Sequence, residues 1–149
     1  MIDPTVRPAV TGDAVELRRL EREARRALEG ARGAERWLEV NPAVDLEWEH
    51  HIAAAEVFVA MIDDVVVGYI RTTRDGDVAT VGDVFVVEAA RELGFGDELL
   101  AAALDRARSA GATWFEGQAL PGDRNTKNLY ERAGIKARLI TVSVELGQT

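Results

Sequence analysis

The residues that best indicate chemistry lie in a loop between a predicted strand and a predicted helix. The apolar run Val84–Val87 is followed by Arg91, Gly94 and Gly96, and an amphipathic helix is predicted from about Leu93 to Ala110. The first turn of a helix presents backbone N–H groups without intrahelical partners, and the helix dipole adds about half a positive charge there. Glycine lets the backbone approach an anion because no Cβ stands in the way. The loop therefore predicts an anion site suited to phosphate.

Paired glycines of this kind also occur in dinucleotide-binding folds. That fingerprint needs a third Gly or Ala three positions after the second glycine, within an early βα unit. Position 99 is Leu, and three predicted antiparallel strands precede the loop. The sequence therefore excludes the dinucleotide-binding interpretation.

A second segment places polar and aromatic residues on a later helix. A short strand is predicted over Thr113 to Gln118, and a helix over Asp123 to Ala133 that ends at Gly134. The side chains on this helix that could contact an anion or a reacting group are Arg124, Lys127, Asn128 and Tyr130.

The elements that must position these residues follow from hydrophobic periodicity. Asp13 with Glu16 predicts the capped start of a first helix, and residues 34–55 predict one or two short helices. Further strands are predicted at Thr5–Arg7, Val57–Ile62, Val65–Ile70, Val78–Val87 and Ile140–Leu146. This order predicts an α/β fold with a mixed, largely antiparallel sheet flanked by helices, formed by residues 1–149 as one domain.

Composition limits the classes of function. The 149 residues include 26 acidic and 18 basic side chains, for a net charge of -8, and no cysteine. An acidic chain is a poor ligand for nucleic acid or for anionic lipid. The lack of cysteine excludes thiolate metal sites and a cysteine nucleophile. No run is long enough to span a bilayer and no basic-then-apolar leader opens the sequence, so we expect a cytoplasmic protein without a membrane partner.

Both motifs, separated by one helix and one strand, resemble the signatures of the GNAT superfamily of acyl-CoA-dependent N-acetyltransferases. The order strand, Arg91-x-x-Gly94-x-Gly96, long helix is similar to the family's pyrophosphate loop. The run Leu129-Tyr130-Glu131, followed by Gly134-Ile135, is similar to its second signature. The resemblance implies a fold in which two central parallel strands splay apart, and it implies direct transfer of an acetyl group from acetyl-CoA to a primary amine in a ternary complex.

The resemblance also implies where the cosubstrate, acetyl-CoA, would bind. The pantetheine arm would pair with main chain at Val84, Phe85 and Val86, and an N–H near Val86 would hold the oxyanion. The remaining expected contacts are with the pyrophosphate, the adenosine phosphates and the thioester, from Arg91, Glu92, Leu93, Gly94, Phe95, Gly96, Asp97, Arg124, Lys127 and Asn128.

Two residues depart from the family pattern. Glu92 stands where many relatives have Gly, and Asp97 where they have a small or hydroxyl residue. Both carboxylates would repel a phosphate unless they point to solvent with Arg91 or Arg124 as counterions. We therefore expect weaker coenzyme binding than is usual for the family.

Candidate catalytic and acceptor-binding residues complete the expected site. Tyr130 is the candidate proton donor to the departing thiolate, with a core tyrosine as the alternative. Asp83 is a candidate base, directly or through water, with a strand-edge carboxylate as the alternative. The residues expected to contact the acceptor are Trp37, Trp48, His51 and Glu116. A metal pair formed by Glu47 and His51 would lack further ligands, so no metal is expected.

The acidic balance favours a cationic acceptor by electrostatic steering, either a small molecule or a protein amine. The alternative function is a non-catalytic sensor that binds acyl-CoA without turnover. The final predicted strand offers a sheet edge that could support a homodimer.

Overall fold

The fold is built on a five-stranded sheet whose strands follow one another in chain order. A computed structural model describes residues 5–147, so residues 1–4 and 148–149 of the predicted domain lie outside the described part. Neighbouring strands are antiparallel except for the last pair, which is parallel. The strands are β1 (Thr5–Pro8), β2 (Val57–Ile62), β3 (Val65–Asp75), β4 (Val78–Val86) and β5 (Trp114–Glu116). The predicted mixed, largely antiparallel α/β fold is confirmed.

Helices cover both faces of this sheet. They are α1 (Ala14–Leu28), α2 (Ala34–Val40), α3 (Trp48–Ala53), α4 (Phe95–Ser109) and α5 (Arg124–Arg132). Leu17 and Leu20 of α1 pack with Trp48 of α3 on one face, whereas Leu99 of α4 and Leu129 of α5 pack on the other. Strand side chains alternate between the faces, so β2, β3 and β4 each contribute to both clusters.

The start of α1 is stabilised differently from the expected capping box. The carboxylate of Asp13 accepts a hydrogen bond from the backbone N–H of Val10 at 2.8 Å, and both of its oxygens accept from the guanidinium of Arg7, at 2.8 and 3.0 Å. Glu16 instead pairs with Arg19 one turn along the helix. The expected reciprocal pair of Asp13 and Glu16 is therefore wrong, because a partner on β1 competes for the carboxylate.

The predicted strand Ile140–Leu146 is absent. Residues 135–147 contain neither helix nor strand, and their alternating aliphatic side chains are exposed. An alternating pattern indicates a chain able to join a sheet, but a strand also needs a neighbour to bond to. None of the described strands provides that neighbour.

No helix within residues 5–147 combines the length and the apolar character needed to cross a membrane.

The contact between Asp13 and Arg7 predicts a measurable contribution to stability. Asp13→Asn should lower the free energy of unfolding by about 2 kcal/mol at neutral pH, because charge-assisted hydrogen bonds are lost at a buried carboxylate. Hydrogen bonding to Arg7 lowers the pKa of Asp13, so this stabilisation is present above pH of about 4 and is lost as the pH falls through the folded-state pKa. Urea unfolding of the natural chain and of Asp13→Asn, at neutral pH and below pH of about 4, measures the effect.

Asp105→Asn is the matched control, because Asp105 forms an exposed pair with Arg108 within α4. It should change the unfolding free energy by less than about 0.5 kcal/mol. An equal loss of unfolding free energy in Asp13→Asn and Asp105→Asn would contradict a stabilising role for the contact between Arg7 and Asp13.

Candidate active site

Strands β4 and β5 separate soon after they meet. Their parallel pairing covers only Val78–Thr80 against Trp114–Glu116. Strand β4 continues to Val86, bonded to β3 alone, while the chain after β5 turns away through Gly117 towards α5. A wedge-shaped gap therefore opens between residues 81–86 and residues 117–120, as expected for splayed central strands.

Main-chain groups of β4 point into this gap. The N–H of Val87 donates to the carbonyl of Val67 on β3 at 2.9 Å. Because main-chain groups alternate in direction along a strand, those of Val84 and Val86 face away from β3, towards the gap. The Nε of Arg91 donates to the carbonyl of Val86 at 3.1 Å, and its guanidinium lies 5.9 Å from the centre of the Phe85 ring.

The loop between β4 and α4 ends in a helix N-terminus that is not capped by a side chain. The first main-chain bond inside α4 runs from the N–H of Glu98 to the carbonyl of Gly94, which leaves the N–H groups of Phe95, Gly96 and Asp97 without intrahelical partners. No side chain caps this end. Gly94 adopts a φ of 87°, a left-handed conformation that suits glycine. The geometry fits an anion bound by backbone N–H groups.

Helix α5 packs directly on this loop. A Cβ at Gly96 would lie 3.4 Å from a methyl group of Leu129, so the small residue lets α5 approach the first turn of α4 closely. The start of α5 is capped by Asp123, which accepts from the N–H of Thr126 at 3.2 Å and from its hydroxyl at 2.6 Å. The predicted phosphate contacts Arg124, Lys127 and Asn128 are exposed on α5.

The two unusual carboxylates of the loop have different environments. Asp97 accepts from the Nε of Arg132 at 3.0 Å, so its counterion is at the end of α5 rather than being Arg91 or Arg124. Glu92 is exposed and has a φ of 67°, a conformation that disfavours residues with a Cβ. Glycine at this position would have suited the backbone, which gives a physical reason for the glycine of many relatives.

Tyr130 lies beside the gap. Its side chain is buried against the chain that leaves β5, and a Cβ at Gly117 would collide with the phenol oxygen. Burial raises the pKa of Tyr130, and the negative charges of Asp123 and Asp83 raise it further. The phenol therefore carries its proton at neutral pH and can donate a hydrogen bond.

Asp83 is held by two partners on β3. One oxygen accepts from the hydroxyl of Tyr69 at 2.6 Å, and the other accepts from the Nε of Arg71 at 2.8 Å. The guanidinium of Arg71 lies over Gly82, where a Cβ would collide with it. Burial and the nearby carboxylate of Asp83 raise the pKa of Tyr69. These contacts suit a carboxylate that holds β3 and β4 together.

Sequence reasoning did not single out Tyr69 or Arg71. The available signal was their spacing, because a charged residue two positions from a tyrosine on a buried strand places both on one face of the sheet. Asp83 stands opposite Arg71 in the β3–β4 register, at the point where that register shifts.

The four candidate acceptor contacts do not come together. Trp37 lies near the gap, since its Nε1 donates to the side chain of Gln118 at 3.2 Å. Glu116 is exposed on β5. Trp48 is 0% exposed and packs edge-on against the Tyr69 ring, so it offers no surface to an acceptor. His51 pairs with Glu56 at 2.8 Å where α3 leads to β2.

Residues 5–147 contain no group of three or more His, Cys, Asp or Glu side chains placed to hold a metal ion.

The diverging strands and the open helix N-terminus agree with the sequence family. The profile of the acetyltransferase (GNAT) family matches residues 15–135, so the chain belongs to this family. Comparison with curated protein sequences finds no match.

Solved structures share the whole architecture at low sequence identity. An aminoglycoside N-acetyltransferase, AAC(6')-Iy, in complex with CoA aligns at 16% identity with a TM-score of 0.71, covering 97% of this chain and 95% of that one. The PaiA N-acetyltransferase of Thermoplasma acidophilum with coenzyme A aligns at 14% identity and 0.73, covering 88% of each. A ribosomal-protein-alanine N-acetyltransferase of Brucella melitensis biovar Abortus 2308 aligns at 17% and 0.68, covering 99% and 100%.

The loop geometry predicts that the charge of Glu92 affects CoA binding and that its backbone strain affects stability. Glu92→Gly should tighten CoA binding by up to about fivefold, because it removes a screened like charge, and should stabilise the fold by about 1 kcal/mol, because it relieves the left-handed backbone. Glu92→Gln should tighten binding similarly without the gain in stability. Calorimetric titration with CoA and thermal unfolding separate the two effects. Unchanged affinity in both variants would show that Glu92 lies away from the phosphates.

Proposed function

We propose that this protein is an N-acetyltransferase that moves an acetyl group from acetyl-CoA directly to a primary amine in a ternary complex. The observation that carries this function is the gap between β4 and β5, with main-chain groups of Val84 and Val86 turned into it. A pantetheine arm has amide groups that can pair with such a strand edge. The uncapped N-terminus of α4 lies at the end of the same strand and loop.

Acetyl-CoA would be held largely by backbone. Its amides would pair with the main chain of Val84 and Val86. Phe85, expected as a third partner, instead turns its main-chain groups to Tyr69 of β3. The pyrophosphate would accept from the N–H groups at the start of α4. Arg91 would turn from the carbonyl of Val86 towards the phosphates, which frees that carbonyl for the pantetheine arm. Arg124, Lys127 and Asn128 on α5 supply further donors for the phosphates.

The transfer itself forms a carbon–nitrogen bond and breaks the carbon–sulfur bond of the thioester. The amine attacks in its neutral form, so its proton must leave to water or to a carboxylate. The N–H of Val86 would stabilise the negative charge that develops on the carbonyl oxygen. The phenol of Tyr130 would donate a hydrogen bond to the departing thiolate. The chain has no cysteine, so a covalent thioester on the enzyme is not available.

Asp83 is assigned a positioning role in this mechanism. Both of its oxygens already accept hydrogen bonds, from Tyr69 and Arg71, and these hold the carboxylate against β3. Its negative charge raises the pKa of Tyr130, and so helps to keep the donor protonated.

A cationic acceptor suits this site best. The chain carries a net charge of -8, which raises the local concentration of a cation near the surface. Trp37, which is bonded to Gln118, and Glu116, at the end of β5, are the proposed acceptor contacts. The solved relatives are named for acetylation of an aminoglycoside and of a ribosomal-protein alanine; the chemistry common to both is a primary amine.

Thiol release from acetyl-CoA over a panel of cationic amines tests this function. Tyr130→Phe should lower kcat by about 10²-fold, because the thiolate loses its donor, while the KM for acetyl-CoA stays within about threefold. Glu131→Gln, on the exposed side of the same helix, should leave both constants unchanged. Full turnover by the phenylalanine variant would remove Tyr130 from the mechanism. Thermal stabilisation by acetyl-CoA without thiol release from any amine would indicate a sensor instead.

The raised pKa of Tyr130 also predicts the shape of the pH profile. The rate should rise with pH as the acceptor amine loses its proton, and should not fall again below pH of about 10, because the phenol keeps its proton above its ordinary value. Steady-state kcat from pH 6 to about 10 measures this. A descending limb below pH of about 10 that disappears in Tyr130→Phe would contradict the raised pKa of the phenol.

A further inference from the structure

Helix α1 holds the C-terminal end of α2 through one arginine. The guanidinium of Arg25 donates to the carbonyl of Asn41 at 2.9 Å and to the carbonyl of Leu38 at 3.1 Å. These carbonyls lie in and directly after the last turn of α2, where a helix leaves its acceptors without partners of its own. Arg25 therefore supplies the missing donors and fixes this end of α2 against α1.

The same guanidinium also contacts the indole of Trp37. Its central carbon lies 6.0 Å from the centre of the ring, at the outer limit of a cation–π contact. The carbonyl of Trp37 in turn accepts from the backbone N–H and from the side-chain amide of Asn41, both at 2.9 Å. Arg25, Trp37 and Asn41 thus form one bonded cluster between α1 and α2.

A buried carboxylate on α1 holds the segment that leaves α2. Glu21 is 3% exposed, and its two oxygens accept from the backbone N–H groups of Val44 and Asp45, at 2.7 and 2.9 Å. Glu21 and Arg25 are four residues apart, so they lie on one face of α1. The carboxylate bonds donors of the segment and the guanidinium bonds its acceptors. Together they fix the position of α2 along α1.

The N-terminal end of α2 rests on the chain that follows β5. Gly33, directly before α2, adopts a φ of 87°, and a Cβ there would lie 3.5 Å from a methyl group of Leu120. Both ends of α2 are therefore held. Between them, the indole N–H of Trp37 donates to the side chain of Gln118 at 3.2 Å, beside the gap between β4 and β5.

We propose that Arg25 is a positioning residue for the amine acceptor and that it acts through Trp37. The inference rests on the proposed function, in which Trp37 contacts the acceptor. An indole held in this way keeps one face against the guanidinium and can offer the opposite face to an acceptor in the gap. The coenzyme is bound by β4 and the start of α4, away from these contacts. Loss of Arg25 should therefore weaken acceptor binding alone.

Steady-state thiol release separates this role from a general effect on the fold. Arg25→Met should raise the KM for the amine about tenfold, while the KM for acetyl-CoA and kcat at saturating amine stay within about twofold. Arg25→Lys should give an intermediate KM for the amine, because an ammonium keeps the charge but lacks the planar fork that reaches two carbonyls.

Arg26→Met is the matched control. It removes the same charge at the next position of α1, where the side chain is exposed, and should leave all three constants unchanged. An unchanged KM for the amine in Arg25→Met and Arg25→Lys, or equal effects of Arg25→Met and Arg26→Met, would overturn the proposal.

A double-mutant cycle tests whether Arg25 acts through Trp37. Trp37→Ala should raise the KM for the amine, and the further change Arg25→Met should raise it by less than about twofold more, because the residue that Arg25 positions is already lost. The full effect of Arg25→Met in the Trp37→Ala background would contradict action through the indole.

Acrylamide quenching of tryptophan fluorescence supplies a readout that needs no turnover. In a Trp114→Phe background the remaining tryptophans are Trp37 and the fully buried Trp48. Arg25→Met should raise the quenching constant by about half, because a loosened indole opens to solvent more often, and Arg26→Met should not. If no amine yields thiol release with the natural chain, the proposed function fails, and quenching alone decides whether Arg25 holds Trp37. Equal quenching in the two variants would show that it does not.

Discussion

Beyond Thr80, the main chain of β4 has a hydrogen-bonded neighbour on one side only. Polar backbone groups that are shielded from water without a partner cost about 1–3 kcal/mol each. The half-buried segment Val84–Val86 therefore needs another partner along its free side. The side chain of Arg91 supplies one for the carbonyl of Val86, and a ligand with amide groups could supply the rest. The rest of the site is arranged around this unpaired edge.

The gap stays open because its two sides are fixed independently. On the β4 side, the pair Arg71–Asp83 and the hydroxyl of Tyr69 join β4 to β3 where the register shifts. On the other side, the ring of Tyr130 rests on Gly117, and α5 packs on Gly96 through Leu129. The pair Arg132–Asp97 then connects the far end of α5 to the start of α4. The carboxylate of Asp97, which would otherwise repel a phosphate, thus has Arg132 as its counterion. The same contact holds α5 against the start of α4 at one side of the site.

Much of the fold follows from local pattern. The two apolar runs on either side of the turn at Asp63–Asp64 predict β2 and β3, and the apolar stripe of α4 with the glycines before it predicts the helix and its loop. The structure places α4 at Phe95–Ser109, as expected within two residues. The family resemblance, confirmed over residues 15–135, supplied the expectation that the strands diverge. These features depend on residues near one another in sequence, so they can be read from it.

The remainder depends on partners that sequence spacing does not identify. Arg132 is 35 residues from Asp97, and nothing local distinguishes it from Arg124 as a counterion. Trp48 could face an acceptor or the core, and only the packing of α3 against Tyr69 decides for the core. The alternation of residues 140–146 predicts a strand, and this prediction is wrong, because no described strand provides a hydrogen-bonding neighbour.

Amide hydrogen exchange at the free edge of β4 tests the central claim most directly. At saturating acetyl-CoA, the N–H groups of Val84 and Val86 should exchange at least about tenfold more slowly than in the free protein, while the N–H of Val87, already bonded to Val67, should change little. Equal exchange of Val84 and Val86 with and without acetyl-CoA, under conditions where binding is complete, would contradict a backbone-lined coenzyme site between β4 and β5.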